Sequence, residues 1–266
     1  MNLSNHFKMC LLLAGSALLM DSCRTVPITG RSQFIFSSVS QEQALGLQAY
    51  QACKKASPQS QNSLYNSALN RCATALISVA DSDTGFEWEF TVLESKEQNA
   101  LCAPGGKIAV YSGLMDLMNN EAELAFVVAH EIAHAIARHY GERSSWDNIM
   151  DVGGMVVSGL SDNPDAVRNV YDIAKKYGIM LPFSRSNEYE ADQIGLILMA
   201  RAGYNPNAAV EFWSRFTEGS QESILSGLMS THPRDAARIQ AMKEILPLAF
   251  QEYQQSRNKY GYGMAL

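Results

Sequence analysis

The sequence has no concentration of positive charge. Lysine and arginine number 21 against 27 acidic residues, a formal charge of −6, and nowhere do they gather into the cluster that a nucleic-acid surface requires. Nucleic acid is therefore excluded as a partner. Charged residues of both signs are scarce at 18%, while 47% of the chain is hydrophobic, which describes a protein with a core rather than a disordered one. Long apolar runs are also missing. "MCLLLAGSALLM" near the start is too short to span a bilayer comfortably, and "DVGGMVVSGL" is shorter still. No internal repeat is visible, which excludes a repeat array. Histidine is rare as well, at five residues, so a place where three fall together carries weight.

The first apolar run follows Lys8 and has the length of a signal-peptide core. Small Ser22 then precedes Cys23, and the stretch resembles a bacterial lipoprotein signal, with Asp21 an unusual neighbour. The expectation is a signal peptide over residues 1–22, lipidation at Cys23, and export with membrane attachment through the lipid anchor alone. Cys10 leaves with the signal. Of the three remaining cysteines, Cys53 and Cys72 lie in two helix-like segments joined by "SPQSQNS" and are expected to form a disulfide in an oxidising compartment. Cys102 would then be a free, buried thiol, since no second cysteine stands at zinc-finger spacing.

Past Cys23, "RTVPITGRSQF" reads as a polar tether over residues 23–39. "SVSQEQALGLQAYQACKKA" reads as a helix capped by serine, and Leu64 to Ala80 as a second helix. Alternation in "FEWEFTVLE" predicts a strand, and "NALCAPGGKIAVYSG" two short strands about the Pro104-Gly105-Gly106 turn. From Leu114 onward only helical patterns occur. The fold expected is α+β and predominantly helical, one domain over residues 40–256 with a tail at 257–266.

Within the first of those later helices stands "HEIAHAIARH", residues 130 to 139. Successive helical residues advance by about 100°, so His130 and His134 share a face and can hold one ion between them. Glu131 flanks that ion rather than binding it, which suits a general base acting on water beside the metal. This H-E-x-x-H pattern is the known zinc metalloprotease signature. Two imidazoles suit zinc, which at a catalytic site needs a third protein ligand and an open position. His139 is roughly 180° round a continuous helix from His130, and Ala137 and Tyr140 occupy the places where metzincins carry a glycine and a third histidine. It is therefore expected to be a helix-end histidine, with Gly141 as the stop.

A third ligand is available in "FSRSNEYEADQIGLILMARAG". Glu188 and Asp192 are four apart and share a face of an otherwise apolar helix. A carboxylate at Glu188 can bind zinc, and one at Asp192 can accept the outer N–H of a ligand histidine. Glu190 points elsewhere and is expected to be solvated.

"NALCAPGGKIAVYSGL", "HEIAHAIARH", "SRSNEYEAD" and "STHPRDAARI" together resemble the M48 metallopeptidases, over about Val26 to Ile239, and "VPITGR" resembles their exported bacterial branch. The resemblance implies a zincin-like gluzincin fold, with one zinc on His130, His134 and Glu188, Glu131 as base and Asp192 in support. It implies that Asn99, Ala100, Leu101, Cys102 and Ala103 form a substrate-binding edge strand. His232 would lie over the zinc, either stabilising the oxyanion or capping the metal. By the same resemblance, the protein would be an endopeptidase for misfolded or misassembled envelope polypeptides, at the periplasmic face of the outer membrane. The rival reading is an envelope chaperone or assembly lipoprotein that holds clients without cutting them. The Gly- and Met-rich segment from Ser144 to Leu181 is expected to act as a lid over the cleft.

Overall fold

The computed structural model describes residues 23–80, 84–148, 180–217, 232 and 236–266. The expected signal peptide and most of the expected lid lie outside the described residues.

Local sequence accounts for where the first helices begin. Helix α1 (Val39–Ala56) opens on a capping box: Ser38 accepts from the Gln41 N–H, and the Gln41 side chain returns to the Ser38 N–H. Lys54 and Lys55 in its last turn complement the negative end of the helix. Helix α2 (Ser63–Ile77) is capped by Asn62, which accepts from Leu64 and Tyr65. Three strands follow, β3 (Glu89–Leu93), β4 (Ala100–Ala103) and β5 (Lys107–Tyr111). They form a sheet in the order β3-β5-β4, β3 parallel and β4 antiparallel to β5. Strand β4 is consequently an edge. Helices α3 (Ser112–Met115), α4 (Glu121–Ile136), α5 (Met180–Arg201), α6 (Asn207–Thr217) and α7 (Ala236–Gln255) complete the described elements, together with helical turns at residues 139–148.

Predominantly helical architecture with a small sheet is thus what forms. Its core runs from Leu69 and Leu76 of α2 through Ile108 and Val110 of β5 to Phe126 of α4, Leu198 of α5 and Phe212 of α6. Helix α4 is buried nearly all round, as its run of alanine, valine and isoleucine requires. It packs most closely on α5 at Gly195, where a β-carbon would come within 3.1 Å of the His130 nitrogen. A side chain there would push the two helices apart. No described helix is long and apolar enough to cross a membrane.

Three expectations are corrected. The tether is folded: β1 (Cys23–Thr25) and β2 (Ser32–Phe34) form an antiparallel hairpin, and Val26 is buried in the main core. The tail is folded too. Carbonyls of Met264 and Tyr262 accept from the first N–H groups of α4, at Glu121 (2.9 Å) and Ala122 (3.1 Å), and so satisfy donors that a helix start leaves open. Third, Cys53 and Cys72 are free thiols. Their helices do not pair as a hairpin: α1 lies on β4 and β5, while α2 lies on β3 and α4. Cys53 therefore packs against the small cluster of Tyr50, Leu93 and Tyr111, and Cys72 is turned into the main core.

Candidate metal centre

The HExxH residues lie in the second half of α4, a helix started by Asn120, whose side chain accepts from the Glu123 N–H. One turn apart, His130 and His134 bring their Nε2 atoms to 3.1 Å of each other. Glu188, from α5, sets Oε2 3.3 Å from His130 Nε2 and Oε1 3.4 Å from His134 Nε2. A tetrahedral zinc with bonds of roughly 2.0–2.1 Å spaces its ligand atoms about 3.3 Å apart. Each imidazole nitrogen thus stands at about that spacing from the other and from one of the two Glu188 oxygens. A fourth corner is filled by His232, whose Nδ1 is 3.2 Å from His130 Nε2 and 2.9 Å from Glu188 Oε2. These four residues form a group able to hold a metal ion.

Around them the surroundings are ionic and nearly dry. Asp192 Oδ1 lies 3.0 Å from His130 Nδ1, and Asp192 is itself gripped by buried Arg238 through Nε (2.7 Å) and Nη2 (2.8 Å). Arg238 also reaches Glu188 Oε2 at 3.2 Å. Glu131 is buried, its Oε1 without a hydrogen-bond partner, although His232 Nε2 stands 3.3 Å away. A buried carboxylate oxygen left in that state fits a site built to receive water beside a cation.

Burial works against charge here, and the neighbours decide the outcome. For Glu188, desolvation is overcome by the imidazoles of His130, His134 and His232, which hold the carboxyl far below its usual range. For Glu131, burial opposes ionisation, but His232 beside it holds its pKa down, which favours the carboxylate form that a base needs. Burial pushes His134 down to about 4, leaving it neutral near pH 7 as a metal ligand must be. His232 is raised to about 10, because Glu131 and Glu188 overcome its desolvation. A divalent cation would compete with protons for these same nitrogens.

The cleft around the cluster encloses about 280 Å³ and is lined by Leu101 and Cys102 of β4, by Glu131 and His134, and by Arg138 and Tyr140 beyond α4. Of the expected edge-strand residues, Ala100, Leu101 and Cys102 line the cleft, while Asn99 immediately precedes β4 and Ala103 ends it. Cys23, the expected lipidation position, is not among the residues that line this site.

Two expectations about individual residues are corrected. Helix α4 does not run through His139. It caps at Ala137, and Arg138 takes a left-handed conformation at φ 51°, the conformation that commonly ends helices. Arg138 is held there by Glu42 of α1, 2.7 Å from Nη2, and by the Ser37 carbonyl at 2.9 Å. The break carries His139 back toward the site, where its Nδ1 meets His134 Nδ1 at 2.9 Å. Glu190 is buried, not solvated, and faces His139, Arg31 and Thr29. Arg238, Arg31 and the inward role of His139 were not assigned from the sequence. The one available signal was three acidic residues in a segment otherwise apolar enough to be buried.

Residues 60–246 match peptidase family M48. The chain is 31% identical over 247 residues to the mitochondrial metalloendopeptidase OMA1 of Schizosaccharomyces pombe, covering 90% of this chain and 71% of that protein. It is 27% identical over 229 residues to the β-barrel assembly-enhancing protease of Escherichia coli, covering 82% and 46% respectively. To the human mitochondrial metalloendopeptidase OMA1 it is 26% identical over 266 residues, covering 92% and 51%.

Proposed function

The chain belongs to peptidase family M48 and is a metallopeptidase, and from that premise we propose that it is a zinc endopeptidase holding one zinc on His130, His134 and Glu188. The observation that carries this reading is that the two imidazole nitrogens lie 3.1 Å apart, each with one of the two Glu188 carboxylate oxygens at 3.3–3.4 Å. Zinc bound there supplies a Lewis acid for the scissile carbonyl and brings the pKa of water toward neutrality. Glu131 takes the proton of the attacking water on its unpartnered oxygen and returns it to the leaving amine. Asp192, clamped by Arg238, keeps the His130 ring turned with Nε2 toward the ion. His232 stands at the fourth corner, so we read this arrangement as a capped resting state. Entry of substrate would displace His232, leaving its imidazole N–H as the group available to stabilise the oxyanion.

Strand β4 supports a substrate class. A polypeptide laid along its open edge would be bound through main-chain hydrogen bonds, which read extended shape rather than sequence. Unfolded or misassembled chains are the substrates that this suits. For location, the signal-like segment and Cys23 support export and lipid anchoring at the periplasmic face of the outer membrane, and the relatedness to a β-barrel assembly-enhancing protease agrees with that setting. The relatives named as mitochondrial carry the same family at another address. A Cys23→Ser protein expressed in a bacterium should lose the lipid mass at its mature N-terminus; an unchanged mass would rule the anchor out.

Metal analysis tests the site. The parent should carry one zinc per chain, His130→Ala and Glu188→Ala should carry none, and Glu131→Gln should keep it. Zinc retained by Glu188→Ala would remove the proposed ligand set.

A further inference from the structure

The two α4 histidines are supported differently. Asp192 backs His130 directly. Behind His134 stands a longer chain of contacts that begins in the N-terminal hairpin. His134 Nδ1 meets His139 Nδ1 at 2.9 Å, and His139 Nε2 meets Glu190 Oε2 at 3.0 Å. Onto Glu190 converge Arg31 Nε at 2.9 Å and Thr29 Oγ1 at 2.6 Å. The other end of Arg31 forms a two-pronged pair with Glu142, each prong 2.7 Å. His139, Glu190 and Glu142 are all buried, so none of these contacts is a solvated surface pair.

One arrangement of protons satisfies every link. With Nε2 of His134 turned to a metal, its proton sits on Nδ1 and is donated to His139 Nδ1. His139 must then carry its own proton on Nε2, donated to Glu190. Glu190 as a carboxylate accepts from His139, Arg31 and Thr29, using acceptor capacity that only the ionised form has. Reversing the first link would put a proton on His139 Nδ1 and require His134 Nδ1 to be bare, which is incompatible with a neutral imidazole bound to metal through Nε2.

We propose that His139 and Glu190, held by Thr29 and Arg31 of the hairpin that begins at Cys23, are positioning residues for metal ligand His134, so that this hairpin is part of the metal centre as well as the segment nearest the proposed anchor. The proposal rests on the reading of His130, His134 and Glu188 as zinc ligands. It adds that the orientation of the second imidazole is fixed from the chain's N-terminal segment through an imidazole and a carboxylate in series. Such outer partners of metal-bound histidines commonly account for about 10–100-fold in metal affinity.

The test compares release of zinc to a chromophoric chelator, and the visible spectrum after cobalt(II) replacement, in the parent, Glu190→Ala, Arg31→Ala, His139→Ala and His139→Asn. Melting of each metal-free protein is measured alongside. Glu190→Ala, Arg31→Ala and His139→Ala should weaken zinc by about 10–100-fold and shift the cobalt bands. His139→Asn, which keeps an acceptor near the old Nδ1 position, should recover part of both. Thr29→Val removes a single donor with little change of shape and should weaken zinc by a few-fold even if the harsher variants fail to fold. Parental zinc affinity and cobalt spectra in His139→Ala and Thr29→Val would overturn the proposal while leaving the ligand set standing. A parent protein that holds no zinc would overturn both.

Discussion

Cys72 shows how far burial alone can change a side chain. Its Sγ lies 3.4 Å from Tyr204 Oη and 3.5 Å from the Glu121 carbonyl oxygen, and burial raises its pKa to about 12. The folded protein should therefore leave Cys72 unmodified by iodoacetamide at pH 8, with labelling appearing only as the protein unfolds. Because the folded value is raised, the stabilisation is complete below the ordinary thiol value and is lost as pH climbs toward about 12. Reductant should not change the melting temperature, as no bridge to Cys53 exists. A drop of several degrees in dithiothreitol would contradict this. At this scale the sequence was uneven. His130, Glu131, His134, Glu188 and Asp192 were legible because helical spacing alone puts them on shared faces. His139 was not legible because the break in its helix depends on Arg138 reaching Glu42, a contact ninety-six residues apart, and Glu190 was not because its partners Arg31 and Thr29 come from a distant hairpin.

Strand β4 is the element on which the proposed substrate binding turns. The Tyr111 N–H donates to the Asn99 carbonyl at 3.0 Å, which makes residues 99 and 111 a hydrogen-bonded pair. Alternation in an antiparallel ladder then assigns Leu101 and Ala103 to β5 as well, and turns the main chain of Ala100 and Cys102 to the open edge. The Ala100 N–H is taken by the Asn99 side chain at 2.9 Å. A Cys102→Pro protein loses a main-chain donor that the sheet does not use, a place where edge strands tolerate proline. It should keep its zinc and melting temperature while cleaving an unfolded substrate about 5–10-fold more slowly, the worth of one hydrogen bond. Unchanged cleavage would argue against addition of substrate at this edge. The strands, the Pro104-Gly105-Gly106 turn and the capped helices were readable from local pattern, since each is specified by neighbours in sequence. The hairpin at residues 23–34 was not. Its proline, glycine and polar residues resemble a linker, and it is Val26 in the main core, with Arg31 and Thr29 meeting Glu190, that shows it to be packed.

For the molecule as a whole, membership of peptidase family M48 and a helical body around a small sheet agree with one account. α4 and α5 supply the proposed ligands, Gly195 permits their close approach, and β4 borders the cleft. The N-terminal hairpin and the C-terminal strand-like tail both brace α4: one behind His134, the other at its first turn. Family and chemistry were visible in four short motifs, whereas this bracing is a property of chain ends meeting far from themselves in sequence. The most direct test of the central claim is cleavage of casein by the zinc-loaded chain starting after Cys23, beside Glu131→Gln at equal zinc content. The account predicts that the parent cuts, a chelator stops it, and Glu131→Gln binds zinc but loses at least about a hundred-fold in rate. Equal cleavage by Glu131→Gln would contradict it.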